Sequence, residues 1–369
     1  MEGVSFVVPV HNGATCIGPT IEAILAQSDG RPMEVIVVDD QSRDGSADVI
    51  QSLAKRRPLR VIAGDGHGAA AAINVGVRAA RWPIICQVDQ DVVLQEGWMR
   101  RLTGALADPG VAAAQGYYAL DPDATLCARA MNLDLEQRYA AIAGPDTDHV
   151  CTGNVAFRAN ALGRVGLFDE TFGYGYDNDI SYRLRAAGYR LVFCRDARSV
   201  HRWREGLAGY LVQQYGFGYG RIDLVAKYPR RVGGDAVSPV RMMLHPLLMS
   251  IALAAFGAAA LLAATGGPWR IPVIAAAALV AGLALERLAA GIAAARRFRD
   301  STPLVFPLLH LVRDVAWVAA IGMWTGRRLF GRPSKPAHSM RPRAAAAPNG
   351  TSMAWRTDLY ASAPNRPAK

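Results

Sequence analysis

The chain has 369 residues, 51% of them hydrophobic, and a formal net charge of +10; that length exceeds one compact core and calls for more than one module. Nine Lys/Arg and one Asp fall from Arg327 onward, leaving only +2 for residues 1–326, so the basic excess is a tail beside apolar helices, which fits anionic lipid head groups and argues against a nucleic-acid partner. Five cysteines without CxxC spacing indicate neither a disulfide framework nor a zinc motif, and they fit a reducing compartment.

Met1-Glu2-Gly3 leads directly into an apolar run, with no succession of charged, apolar and cleavage regions, so the domain that follows is expected to stay in the cytosol. Val4 to Val10 and Glu34 to Val38 read as strands, with a helical pattern over 17–27 between them. The alternation continues with a helix near 48–55, a strand near 60–63, a helix near 69–80 and a strand at 83–88. This is the βαβ rhythm of a doubly wound sheet. Beyond Trp98 the pattern loosens into a helix at 99–107, a strand at 111–118 and a long helix around 124–142. A short helix at 180–187, closed by Gly188, precedes a strand at 191–194.

Leu244 to Thr265 offers 22 residues with one histidine as its sole ionisable group, enough to cross a bilayer at ~1.5 Å per residue. A second span is expected over 269–292. Along and just beyond the third apolar segment, 303–326, His310, Arg313, Asp314, Trp317, Trp324 and Arg328 share one stripe at helical spacing, which suits a helix lying in the membrane interface. Basic clusters at Arg230, Arg231 and Arg241, at Arg296, Arg297 and Arg299, and from Arg327 to Arg343 agree with two spans and both termini in the cytosol. The expected division is an α/β domain over 1–235, a membrane module over 236–330, and a basic disordered tail over 331–369.

Two acidic clusters stand at predicted strand ends, the edge where open α/β sheets bind ligands. Asp39-Asp40-Gln41-Ser42-Arg43-Asp44-Gly45-Ser46 offers carboxylates to a base N–H or a ribose hydroxyl; its plainer reading is a capped turn. Gln87-Val88-Asp89-Gln90-Asp91 places two carboxylates with one residue between them, a spacing at which hard oxygen ligands share a divalent ion with a diphosphate. A third group, Asp177-Asn178-Asp179, opens a predicted helix, where Asp179 reads as a cap or a partner for Arg183.

Together with Phe6-Val7-Val8-Pro9-Val10-His11-Asn12, the Gly68–Asn74 loop, Thr152-Gly153-Asn154-Val155-Ala156-Phe157-Arg158 and Val165-Gly166-Leu167-Phe168-Asp169-Glu170, these clusters make residues 3–205 resemble glycosyltransferase family 2. The resemblance implies a GT-A type α/β fold, a doubly wound mixed sheet, here followed by transmembrane and interfacial helices. It implies inverting transfer of a sugar from a UDP-type nucleotide-sugar to a hydroxyl or phosphate of a membrane-associated lipid or glycan. On the family pattern Pro9, Asp39 and Asp40 border the uracil and ribose, and Asn74 closes the loop on the donor side. Asp89 contacts the sugar-nucleotide, Asp91 binds magnesium or manganese, and His201 completes the metal site. Asp177 takes the acceptor's proton as base.

Two positions depart from the family: Tyr176 stands where Glu is common, which leaves Asp177 as base without its usual orienting neighbour, and Ile73 stands where relatives often carry Arg, so donor binding is expected to lean on the metal. Arg221, in a segment that loosely resembles the signature of processive synthases, is expected to face the diphosphate, although no Trp follows it. The expected location is the inner (plasma) membrane, multi-pass, with the catalytic domain cytosolic. Its partners are then a sugar donor, a lipid or glycan acceptor and membrane lipids. A processive polysaccharide synthase and a catalytically silent scaffold of the same fold are the alternatives. A nicotinamide enzyme is disfavoured because Val10-His11-Asn12-Gly13-Ala14 lacks the GxGxxG turn.

Overall fold

The computed structural model of the chain describes residues 2–142, 144–203, 205–235 and 237–331. The expected basic tail beyond Gly331 lies outside the described residues. Among the described residues the chain divides into two compact units, one built from the segments up to Ala119 and Gly144–Arg202, the other from the segments 120–142 and 203–331.

The first unit runs β1 (Val4–Val10), α1 (Ile17–Leu25), β2 (Met33–Asp39), α2 (Ser46–Ala54), β3 (Leu59–Ala63), α3 (Ala69–Ala79), β4 (Ile84–Val88), β5 (Val92–Leu94), α4 (Trp98–Ala105) and β6 (Val111–Ala119). The chain then contributes α5 (Leu126–Ala140) to the second unit and returns with β7 (Asp146–Thr147), β8 (Asn154–Arg158), α6 (Ala159–Val165), α7 (Tyr176–Ala186) and β9 (Arg190–His201). The strands form one sheet in the order β3-β2-β1-β4-β8-β6-β9-β5, with β7 on β9. β1 to β4 pair in parallel, β8 runs antiparallel to both β4 and β6, and β9 runs parallel to β6 and antiparallel to β5. The sheet is therefore mixed, as the resemblance implies.

Every residue of β1 is buried, as a strand covered on both faces demands. Helix α3 lies against it because Ala70, Ala71, Ala72, Ile73 and Gly76 present a nearly flat surface. A side chain at Gly76 would strike Val7 Cγ1. Val7, Ile73, Ile85, Phe157, Phe168, Ile180, Leu184 and Leu191 share one core, which fixes α3 and α7 to the sheet. The carboxyl ends of β1 and β2 come level, with Val10 opposite Asp39, and β4 ends beside them.

The second unit adds α8 (Gly206–Lys227), α9 (Val240–Ala264), α10 (Arg270–Phe298) and α11 (Phe306–Leu329) to α5. The sequence pattern puts α5 and α8 in the α/β domain; the structure puts them with the apolar helices. The reason is packing: Ala130, Met131, Tyr210, Ala294, Phe306 and Leu309 form one cluster, and Arg129 bridges to Asp300. Three helical segments, Val240–Ala264, Arg270–Phe298 and Thr302–Leu329, are long and apolar enough to cross a membrane, with mean hydropathies of 2.3, 1.9 and 1.7.

The polar stripe of α11 is turned inward. His310, Arg313, Asp314 and Trp317 are all buried, Asp314 Oδ2 lies 2.9 Å from His245 Nδ1, and Arg313 Nη2 donates to Asp314 Oδ1 at 3.0 Å. Protein partners thus meet Arg313 and Asp314 of the stripe, while Trp324 Nε1 donates to Asp223 Oδ1 at 2.7 Å and Arg328 is exposed. Removing one member strands the others: Asp314→Ala is expected to cost about 3–5 kcal/mol, read as a lower unfolding temperature of the detergent-solubilised protein, whereas Leu308→Ala on the exposed side of the same helix should leave it nearly unchanged.

Candidate functional site

The first acidic segment is a scaffold for the pocket edge. Asp40 is buried, and its carboxylate accepts from the backbone N–H of Gly66 and of Gly68, each at 2.8 Å, so it holds the loop that enters α3. Asp39 Oδ1 accepts from the Ser42 N–H at 3.1 Å. His11, one residue after β1, lies with Nδ1 2.8 Å from the Asp40 carbonyl, and its N–H donates to Gln90 Oε1 at 2.9 Å. These bonds tie the ends of β1, β2 and β4 into one rim, with Pro9 near the end of β1.

Asn74 is buried inside α3. Its amide donates to the Phe168 carbonyl at 2.9 Å and to Glu170 Oε1 at 2.8 Å, while its Oδ1 accepts from the Phe168 N–H at 3.0 Å. Both ends of the side chain are committed to the Phe168–Glu170 segment, so Asn74 locks that loop.

Asp89 follows β4 directly. Gln87 Nε2 donates to Asp89 Oδ1 at 2.8 Å, the Asp89 N–H donates to the Gly153 carbonyl at 3.2 Å, and the Gly153 N–H donates to Gln87 Oε1. Gln87 therefore orients the carboxylate and Gly153 together. Burial, then the nearby charges of Asp91 and Asp177, push the Asp89 carboxyl up to about 7 against the opposing bond from Gln87. Gly153 has φ +89°, and a Cβ there would strike Asp89 Oδ2. Gly153→Ala should therefore cost roughly 1–3 kcal/mol through strain and overpacking and weaken divalent-ion binding, as measured by thermal unfolding and manganese titration of the same sample.

Asp91 ends the turn into β5, which pairs with the end of β9 and sets Val92 opposite His201. That register brings His201 Nε2 to 3.5 Å from Asp91 Oδ1, while the Asp91 carbonyl accepts from the Arg202 N–H at 2.9 Å. Tyr118 packs against the His201 ring at 5.3 Å between centroids. One carboxylate oxygen and one imidazole nitrogen facing each other at this separation fit two donors to a single manganese or magnesium ion at about 2.0–2.2 Å each.

Asp177 lies in the first turn of α7. Its Oδ1 accepts from the Asn178 N–H at 2.9 Å, and its Oδ2 lies 3.7 Å from His149 Nε2. The adjacent Tyr176 packs edge-on against Phe168. Burial, then the carboxylates of Asp89 and Asp177, push its phenol well up, against a hydrogen bond with Thr152. Tyr176 is thus a neutral hydroxyl held near both acids. Asp179 pairs with Arg183 at 2.6 Å, the structural role expected for it.

The structure therefore brings Asp89, Asp91, His201 and Asp177 into one region of the first unit, rimmed by Pro9, Asp39 and Asp40. Arg221 belongs to α8 of the second unit, where it pairs with Asp235 at 3.3 Å. Sequence reasoning missed two neighbours of Asp177: His149 and Cys151, whose side chains each offer a donor atom within 4.8 Å of the others and of Asp177. Only 28 intervening-sequence steps separate His149 from Asp177, yet His-x-Cys with a distant Asp forms no recognisable spacing motif.

Residues 5–166 match the sequence profile of Glycosyl transferase family 2. A pre-mycofactocin glycosyltransferase of Mycobacterium tuberculosis (strain ATCC 25618 / H37Rv) is 31% identical over 258 residues, covering 67% of this chain and 53% of that protein. A chondroitin synthase of Pasteurella multocida is 24% identical over 224 residues, covering 50% of this chain and 23% of that protein. The chain spans about half the length of the pre-mycofactocin relatives. Among solved structures, mannosyltransferase PcManGT from Pyrobaculum calidifontis, in complex with GDP-Man and Mn2+, superimposes with a TM-score of 0.55 and 21% identity over 85% of this chain and 86% of its own. This chain carries a glycosyl transferase family 2 domain with the GT-A fold.

Proposed function

We propose that the chain is an inverting, metal-dependent glycosyltransferase that moves a sugar from a UDP-linked donor to a hydroxyl or phosphate of a membrane-associated lipid or glycan. The observation that carries this reading is the register of β5 on β9, which sets His201 against Asp91 beside Asp89 at the carboxyl end of β4. A magnesium or manganese ion held by Asp91 and His201 would neutralise charge on the departing diphosphate. Asp39 and Asp40, tied to the loops around them, border the nucleoside. Asp89, oriented by Gln87, faces the sugar-nucleotide.

Asp177 takes the proton of the acceptor hydroxyl as that oxygen attacks the anomeric carbon from the face opposite the leaving group. Proton removal and attack fall in one displacement, so the configuration at that carbon inverts. Tyr176 stays protonated and adds no negative charge beside Asp177, which leaves the base free to gain its proton from the acceptor alone. The three long apolar helices support a membrane-embedded enzyme, multi-pass in the plasma membrane with its catalytic unit on the cytosolic face, acting on an acceptor held in or at the same bilayer.

The test is nucleotide release by detergent-purified full-length protein across UDP-, GDP- and dTDP-sugars with Mn2+ and membrane lipid extract, followed by the anomeric configuration of the product. Turnover of a UDP-sugar with inversion supports the proposal. Retention of configuration overturns the inverting reading, and release from GDP- or dTDP-sugars alone overturns the choice of nucleotide.

A further inference from the structure

The surroundings of Asp177 contain more than a base requires. His149 Nε2 stands 3.7 Å from Asp177 Oδ2 and 3.8 Å from Cys151 Sγ. Both distances are too long for strong hydrogen bonds. They lie near the edges of a tetrahedron around zinc, which for Zn–N, Zn–O and Zn–S bonds of ordinary length come to about 3.4–3.6 Å.

The backbone that presents these groups is fixed. Ser181 Oγ donates to the Asp177 carbonyl at 2.6 Å and accepts from the Val150 N–H at 3.1 Å, so the first turn of α7 is tied to the 149–151 segment. The Cys151 N–H donates to Gln115 Oε1 at 2.7 Å, which anchors the same segment to β6. Thr147 Oγ1 donates to the His149 carbonyl at 3.0 Å. The imidazole is buried, whereas Cys151 and Asp177 are only half-buried, leaving one side open for water as a fourth ligand.

We propose that His149, Cys151 and Asp177 form a binding site for a single thiophilic divalent ion of the zinc type, distinct from the Asp91–His201 pair. The chemistry separates the two sites. Both sites offer an imidazole and a carboxylate, but only this one adds a thiolate, which favours zinc or cobalt over the harder manganese and magnesium. Occupancy holds the Asp177 carboxylate and withholds it from the acceptor, so zinc acts as an inhibitor; this consequence rests on Asp177 being the base, while the binding itself does not.

The experiment titrates Co2+ into the full-length protein in detergent and follows the near-ultraviolet thiolate-to-cobalt charge-transfer band, then measures Zn2+ inhibition of manganese-supported turnover. Wild type and Asp91→Asn should both show the cobalt band, and Cys151→Ser should lose it and require at least about tenfold more Zn2+ for half-inhibition. A band that survives in Cys151→Ser, or one lost in Asp91→Asn, overturns the site. Cobalt bound through Cys151 with no zinc inhibition of wild type upholds the site and overturns Asp177 as the base.

Discussion

Asp177→Asn lowers kcat by about 10²–10⁴-fold while the donor KM stays close to that of the wild type. The amide has nearly the shape of the carboxylate and still accepts from the Asn178 N–H at the start of α7, so the helix and its core contacts survive. What disappears, on the proposed mechanism, is a group that gains a proton in the transition state. A loss confined to kcat is the signature of an interaction made only there. Chemical rescue by a basic acceptor, one that ionises without help, should restore part of the rate. A fall in donor affinity with kcat unchanged would instead place Asp177 among the binding groups.

Asp91→Asn acts on the other half of the reaction. Removing the carboxylate that faces His201 at 3.5 Å leaves the imidazole as the sole member of the pair, and an amide is a poor ligand for a hard cation. Turnover should drop on the order of 10³-fold at fixed manganese, from the loss of several kcal/mol of charge stabilisation on the leaving diphosphate. Raising the manganese concentration should recover some of it, because His201 remains. Equilibrium binding of manganese with and without donor, followed by its paramagnetic signal, separates this from unfolding: the variant should bind weakly yet melt near the wild-type temperature.

Much of the first unit was legible because its strands obey simple rules. β1, β2 and β4 are short Val/Ile-rich runs, β2 ending in Asp39 and β4 followed directly by Asp89, and the helices between them carry apolar faces at helical spacing. The carboxylates at those strand ends could be placed on one edge before any coordinates. β5 and β7 escaped, since segments of three and two residues carry no period. β9 was read as four residues and extends over twelve; charged Arg195, Asp196 and Arg198 interrupt its apolar pattern, and its pairing with β6 shifts register between Gln115 and Tyr117.

The partners of the site residues were less visible than the residues. Asp40 serves backbone N–H groups of Gly66 and Gly68, and Asn74 serves Phe168 and Glu170; both pairings join positions more than twenty residues apart, which spacing does not encode. The same holds for His149 and Cys151 beside Asp177. In the second unit the polar stripe of α11 was legible, but the partner of Asp314 was not: it meets His245 across 69 positions, a pairing that depends on tertiary packing.

The most direct measurement of the central claim compares nucleotide release by full-length wild type, Asp91→Asn and Asp177→Asn, with donor and lipid extract supplied, in manganese and after chelation. Release by the wild type that requires manganese and falls by at least about a hundredfold in both variants is the predicted result. Equal release by all three proteins, or wild-type release that persists undiminished after chelation, would contradict it.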